Sequence, residues 1–314
     1  MTDGSTEIEV HPLREDELLE ADRVLRLAFG TFIGLPNPME FMGDGDYVRT
    51  RWAADPASAL AAEVDGALVG TNFVTRWGSV GFFGPLSVLP SMWDRGVARA
   101  LLRATMAVFD DWGVAHRGLF TFGDSAKHIA LYQSYGFLPR FLTSILAGPV
   151  SGEARGWTTF SSLGDPGQGL LEAADLTGSI FEGLDVRREI KATLDQGLGD
   201  TVLIDEDDAL AAFAVCHVGP GTEAGTGICF VKFGAARPGR LASSRFGRLL
   251  DACESFAATR GASTIKLGVS TGRRGAYRQL LARGYRAERV GVTMHHPDVD
   301  AYHYPDAYVI DDWR

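Results

Sequence analysis

The feature that most limits how this chain can fold is a repeat. Pro90 recurs as Pro238, and the offset of 148 positions then holds without a gap. Leu101-Leu102 matches Leu249-Leu250, Ala104 matches Ala252, Gly113 matches Gly261, and Gly136-Phe137 matches Gly284-Tyr285. A register kept from a loop, through a helix, to a Gly-aromatic pair predicts a tandem duplication. The 314 residues suffice for two domains of ordinary size. The boundaries read as 1–150 for the first unit, 151–168 for a linker rich in Gly, Ser and Thr, and 169–314 for the second.

Within the first unit, residues 8–13 alternate weakly and predict a strand. Leu18, Leu19, Ala21, Val24, Leu25, Ala28 and Phe29 follow at helical spacing, with Gly30 closing the helix. Residues 31–49 read as a loop, with Pro36, Pro38, Gly43 and Gly45. It carries Glu40, Asp44 and Asp46 beside Phe32, Met39, Phe41 and Met42. Either a lid over a bound amine or a solvated loop with apolar anchors fits this composition. Asp65-Gly66 between two apolar runs is a strong hairpin signal for 59–64 and 67–76. A strand over 81–88, a helix from Gly96 to Gly113 and a strand over 118–122 come next. A helix through Tyr132, capped by Asp124 or Ser125, and a strand over 140–146 complete the unit.

The chemistry concentrates between Gly84 and Phe137. An apolar run ends at Pro90, a turn carries Gly96 and Ala98, and a helix opens there. Free N–H groups at a helix N-terminus, with small residues around them, suit a pyrophosphate. Tyr132 then stands four residues before Gly136-Phe137. This ordered pair of motifs resembles the GCN5-related N-acetyltransferases, whose signature is a strand, a Pro, Arg/Gln-x-x-Gly-x-Gly/Ala, and later Leu-Tyr-x-x-x-Gly-Phe. Gly96, Ala98, Leu131-Tyr132 and Gly136-Phe137 fill it, and Trp93 stands at the usual Arg/Gln position. The resemblance covers about the first 145 residues.

That resemblance implies an α/β fold of two tandem units, each a mixed, mostly antiparallel sheet flanked by helices and splayed beside the Pro90 strand. It implies acetyl-coenzyme A as the acyl donor, with no metal. The donor would be held by Leu86, Ser87, Val88, Asp94, Arg95, Gly96, Val97, Ala98, Arg99, Ser125 and His128. Backbone amides near Leu86 and Val88 would meet the thioester oxygen, and Tyr132 would give a proton to the leaving thiolate. No Glu stands on the 81–88 strand, where many relatives carry a base. Asp124, His128, the carboxylate of Arg314 and a water chain stay open for that role, the first two also reading as a helix cap and a surface residue.

In the second unit Ser244 stands for Gly96, Phe246 for Ala98 and Leu280 for Tyr132. Packing residues are kept and reactive ones lost, which predicts a structural or substrate-shaping domain. Arg237, Arg240 and Arg245 leave open a second phosphate site. The tail holds His295, His296, Asp298, Asp300 and His303, which read as a polar loop before a last strand rather than as a metal motif.

Charge and composition narrow the class. A net charge of −10 argues against nucleic-acid partners. Apolar runs are too short for a membrane span, and the acidic N-terminus lacks a leader pattern. Three cysteines without metal-like spacing fit buried thiols in a reducing cytoplasm. The reading is a cytoplasmic N-acetyltransferase acting on a primary amine of a small molecule, with a homodimer open. Alternatives are a tandem acetyltransferase of the mycothiol synthase type, whose competent half is C-terminal, and a non-catalytic acyl-coenzyme A-binding protein.

Overall fold

The computed structural model describes residues 7–150, 152 and 154–314. Most of the N-terminal stretch read for a leader and two positions of the expected linker lie outside the described residues. The first half runs β1 (Glu9–Pro12), α1 (Leu18–Phe32), α2 (Val48–Ala54), β2 (Ala59–Val64), β3 (Ala67–Trp77), β4 (Val80–Phe83), β5 (Ser87–Val88), α3 (Val97–Trp112), β6 (His116–Thr121), α4 (Ala126–Gln133) and β7 (Leu138–Pro149). The second runs β8 (Thr158–Thr159), α5 (Pro166–Ile180), α6 (Arg187–Asp195), β9 (Gly199–Glu206), β10 (Ala209–Gly219), β11 (Gly225–Ala236), α7 (Ala242–Thr259), β12 (Thr264–Ser270), α8 (Arg274–Ala282), β13 (Arg286–His296) and β14 (Val309–Ile310).

The repeat is structural to the residue. Parallel β4 and β6 pair from Val80–His116 to Phe83–Leu119, and parallel β11 and β12 pair from Ile228–Thr264 to Val231–Leu267. Each of these positions moves by the same 148 residues. Beyond the paired segments the two strands of each couple diverge, so each half has its own splay.

Local chemistry explains the elements. Asp65 and Gly66 both take positive φ, 51° and 74°, as the two-residue turn joining β2 to β3 requires. Gly113 ends α3 at φ 60°. Leu60, Ala62 and Val64 pack towards α3 at Leu101, while Ala59 and Ala61 pack towards α1 at Val24 and Leu25. Burial on both faces is why β2 reads as a nearly continuous apolar run.

Four expectations change. Gly30 does not close its helix; α1 continues to Phe32, and a Cβ at Gly30 would lie 2.3 Å from the Pro38 carbonyl oxygen. The loop over 31–49 already enters α2 at Val48. The strand over 81–88 breaks at Gly84-Pro85 into β4 and β5. The segment 151–168 carries β8 and the first turn of α5, where the Asp165 side chain accepts from the Gln168 amide.

Among the described residues the two sheets are joined into one of fourteen strands, twelve of them ordered β1-β2-β3-β4-β6-β13-β7-β12-β11-β10-β9-β8, with β5 paired to β3 and β14 to β11 off that path. β13 lies between β6 and β7, and β7 lies between β13 and β12. Each half thus lends its last long strand to the other. Glycines let the crossing elements approach: a Cβ at Gly118 would sit 2.2 Å from Trp313, and one at Gly148 2.6 Å from Tyr285.

Residues 297–300 form the expected exposed loop and β14 the last strand, but much of the tail from Tyr302 onward is buried. Tyr302, Val309, Ile310 and Trp313 are inaccessible, and β14 pairs with β11 at Gly234 and Ala235. A Cβ at Gly268 on β12 would strike the Asp312 side chain at 2.2 Å. The tail therefore fills the splay between β11 and β12. Asp298 and Asp300 are engaged by Arg140, and His295 and His303 sit in the core.

The seam between the halves is sensitive to acid. His116 on β6 meets His295 on β13, with 3.1 Å between Nε2 and Nδ1. Burial lowers the His116 imidazole to about 4 and that of His295 to about 3, and each ring is further disfavoured as a cation by charges nearby. Burial likewise lowers His217 to about 4. Unfolded histidine titrates near 6.5, so the folded state binds fewer protons below that value. Stability from these groups is complete above pH ~6.5 and is lost as pH falls towards ~4. At pH 5 the loss is on the order of 2 kcal/mol for each histidine. The urea midpoint should fall clearly between pH 7 and 5; equal midpoints would show that the rings are not held neutral.

Candidate functional site

The first half's splay opens a cleft of about 940 Å³ that passes from the N-terminus of α3 to the face covered by α1. Its position follows from the break at Gly84-Pro85, beyond which β5 stays paired with β3 but leaves β6. α3 is pinned beside it by a buried hydrogen bond from Asn72 on β3 to Thr105, at 2.7 Å. Gly96 is the residue before α3 and takes φ 91°, a conformation that favours glycine. A Cβ there would find its nearest protein atom 3.7 Å away, at Ile8. The turn therefore presents open backbone at the helix N-terminus. The Tyr135 hydroxyl donates to the Arg99 carbonyl at 2.8 Å, which ties the end of α4 to the same turn.

Leu86, Val88, Asp94, Gly96, Val97, Ala98, Arg99, His128 and Tyr132 all line this cleft. Three other candidates do not. Ser87 is buried, with its carbonyl towards Gly70, and Arg95 and Ser125 stand outside the lining. Ser125 precedes α4 without capping it through its side chain; its hydroxyl lies 2.9 Å from His128 Nδ1. Burial lowers the His128 imidazole, with Lys127 adding to the effect. Trp93 also lines the cleft, and its indole donates to the Val88 carbonyl at 2.8 Å, spanning the turn in place of an Arg or Gln. Asp94 pairs with Lys127 at 2.7 Å across the mouth.

Tyr132 is almost wholly buried, yet it reaches the cleft wall. Burial pushes its phenol up to about 12, with Thr121 acting in the opposite direction. The phenol keeps its proton throughout the physiological range, as a proton donor must.

Several lining groups were missed in the sequence. Tyr47, Lys266, Glu288, Arg289 and Arg314 all border the cleft, and the last four belong to the second half. The Arg314 guanidinium lies over Phe230, and its terminal carboxyl carbon would lie 3.7 Å from a Cβ at Gly84. Arg51 is buried behind it, donating to the Gly84 carbonyl. Residues this far apart become neighbours only through strand exchange, which no local pattern announces. Of the lid acids, Asp44 accepts from the Thr226 amide at 2.9 Å and Asp46 from Arg49 at 3.0 Å, while Glu40 lines the cleft and accepts from the Asn37 side chain at 3.1 Å.

The matching positions of the second half are filled. Phe246 and Leu280 are inaccessible, and the Phe246 ring packs 5.5 Å from that of Tyr308. Arg245 pairs with Glu206, and Arg237 with Asp175 at 2.8 Å.

Residues 27–137 match the model of the acetyltransferase (GNAT) family, from α1 through the α3 turn to Phe137. The matched segment, residues 27–137, is a GNAT-family domain. Solved structures extend the GNAT likeness over both halves. A Pyrococcus horikoshii protein assigned as an acetyltransferase is 13% identical with a TM-score of 0.71, over 98% of this chain and 95% of its own. A GCN5-related N-acetyltransferase from Sphaerobacter thermophilus is 14% identical with a TM-score of 0.57, over 94% and 98%. A tandem GNAT protein from the clavulanic acid biosynthesis pathway is 14% identical with a TM-score of 0.54, over 92% and 98%. At such identities these likenesses speak for the fold, here the tandem GNAT arrangement. No curated protein matches the sequence.

Proposed function

We propose that this chain is an acetyl-coenzyme A-dependent N-acetyltransferase with one active site, in the first half, acting on a primary amine of a small molecule. The observation that carries the reading is the single cleft in which the Gly96 turn, the β4–β5 break and Tyr132 meet. The free amides of the α3 N-terminus would hold the donor's pyrophosphate, with Ala98 leaving room and Arg99 adding charge. Backbone near Leu86 and Val88 would orient the thioester beside the break. The neutral amine attacks the carbonyl carbon and the C–S bond breaks. Tyr132 donates its proton to the departing sulfur, and the proton shed by the new amide nitrogen passes to solvent. No side chain is assigned as base. The tail packed into the second splay counts against a second active site.

Tyr132→Phe should lower kcat at least tenfold, with acetyl-coenzyme A affinity within about twofold of wild type. Full activity of that variant would remove Tyr132 as the acid. One observation favours a second reading, a non-catalytic acyl-coenzyme A-binding protein: Trp93 occupies the Val88 carbonyl beside the expected thioester site. That reading expects binding without acetyl transfer to any amine, and no measurable effect of Tyr132→Phe.

A further inference from the structure

The α1 side of the cleft carries a guanidinium with no hydrogen-bonded carboxylate among the described residues, and the second half supplies it. Strand alternation separates the two faces. On β6, Leu119 packs with α3, and Thr121 meets Tyr132. Phe120 and Phe122 therefore point to the opposite face. There Phe122 packs 4.8 Å from Phe32 of α1. The guanidinium of Arg289, on β13, lies 5.3 Å over the Phe122 ring.

Arg289 is half-buried and has no carboxylate or carbonyl partner among the described residues. Its neighbour Glu288 is taken by Lys266 at 2.8 Å. Arg314 is held by Asp312 at 2.9 Å. Burial, together with repulsion from Arg314, lowers the Arg289 guanidinium below its usual range. Of these three cations, Arg289 alone has no carboxylate within ion-pair distance among the described residues. Glu40, bonded by Asn37, also lines the cleft. A charge kept dehydrated beside a like charge is costly in the empty protein, and such groups concentrate where ligands bind.

We propose that Arg289, assisted by Arg314, binds a carboxylate carried by the amine acceptor, so that the second half selects what the first half acetylates. The word acceptor rests on the acetyl-transfer reading above; the anion site does not. A planar fork whose donors are unpaired matches the two oxygens of a planar carboxylate. The wall formed by Phe29, Phe32, Phe41 and Phe122 suits an apolar body between the two polar groups. The acceptor is then an amino-carboxylate with an apolar side chain.

The test uses the full chain and two probes, 3-phenylpropionate and 3-phenylpropionamide, titrated by NMR with and without acetyl-coenzyme A. The acid should bind at least tenfold more tightly than the amide. Arg289→Met should reduce acid binding at least tenfold while leaving the amide and acetyl-coenzyme A within about twofold, and Arg289→Lys should recover part of the loss. Equal binding of acid and amide overturns the proposal, as does failure of both to bind to folded protein. A loss that falls on acetyl-coenzyme A instead would reassign Arg289 to the donor and overturn it too. If acetyl-coenzyme A does not bind at all but the acid preference stands, the acetyl-transfer reading fails and the carboxylate site survives.

Discussion

A Gly96→Trp chain should fold normally and lose acetyl-coenzyme A affinity by two orders of magnitude or more. The two halves of that expectation have separate causes. Gly96 precedes α3 with φ 91°, so any L-residue there carries about 1–2 kcal/mol of backbone strain. That is a small share of the stability of a two-lobed protein with several buried cores. Because the nearest protein atom to a Cβ at this position is 3.7 Å away, the first atom of the indole side chain meets no wall. The ring would lie in the space that a pyrophosphate needs to reach the amides of Val97, Ala98 and Arg99. Calorimetry on the full chain should give one site per chain for wild type and none for the variant, with unchanged circular dichroism. Retained affinity in a folded variant would remove the phosphate-cradle argument. Two sites in wild type would mean that the second splay opens despite β14.

Much of the first half was legible because its signals are local. The Asp65-Gly66 turn, the span of α3 from Gly96 to Gly113 and the 148-residue register each depend on neighbours in sequence. The Gly96 turn belongs to this class, since a small residue at a helix start announces itself. Strand exchange does not. Period-2 alternation tells which face a strand buries and says nothing about which strand lies beside it. The register of β7 against both β12 and β13 therefore had no sequence signature of its own. One indirect signal was present. Gly118, Gly148, Gly268 and Gly291 interrupt apolar strands, and each accommodates a group from elsewhere: Trp313, Tyr285, Asp312 and Phe120. Glycine within a strand marks close approach, and these four mark the seam and the buried tail. Arg289 was invisible for another reason. In sequence it is one more charged residue in RAER; it becomes informative only when its surroundings show that the carboxylates nearby are taken.

The same nonlocal logic sets the other large expected effect, at Glu223. Glu223, on the turn before β11, is fully buried with Arg51 of α2, which binds it through Nε at 3.2 Å and Nη2 at 2.9 Å. Lys232 donates to the same carboxylate at 2.7 Å and pairs with Glu189 at 3.2 Å. Although burial alone would raise the Glu223 carboxyl, Arg51 and Lys232 hold it well below the usual carboxylate range. Two cations and two carboxylates thus balance within the core between the halves. Glu223→Ala would leave Arg51 and Lys232 sharing one carboxylate out of water, which costs on the order of 3–5 kcal/mol. Replacing both partners of a buried pair by apolar residues removes that penalty, so Arg51→Met with Glu223→Met should recover more than half of the lost stability. The single and double variants separate cleanly in urea unfolding. A single-variant loss below about 1 kcal/mol would mean that water already reaches the pair. Function should not recover with stability. Arg51 also donates to the Gly84 carbonyl at the break between β4 and β5. A double variant that regains its fold still lacks the group that fixes this break. It should bind acetyl-coenzyme A more weakly than wild type, while wild-type affinity would detach the Arg51 contact from the geometry of the cleft.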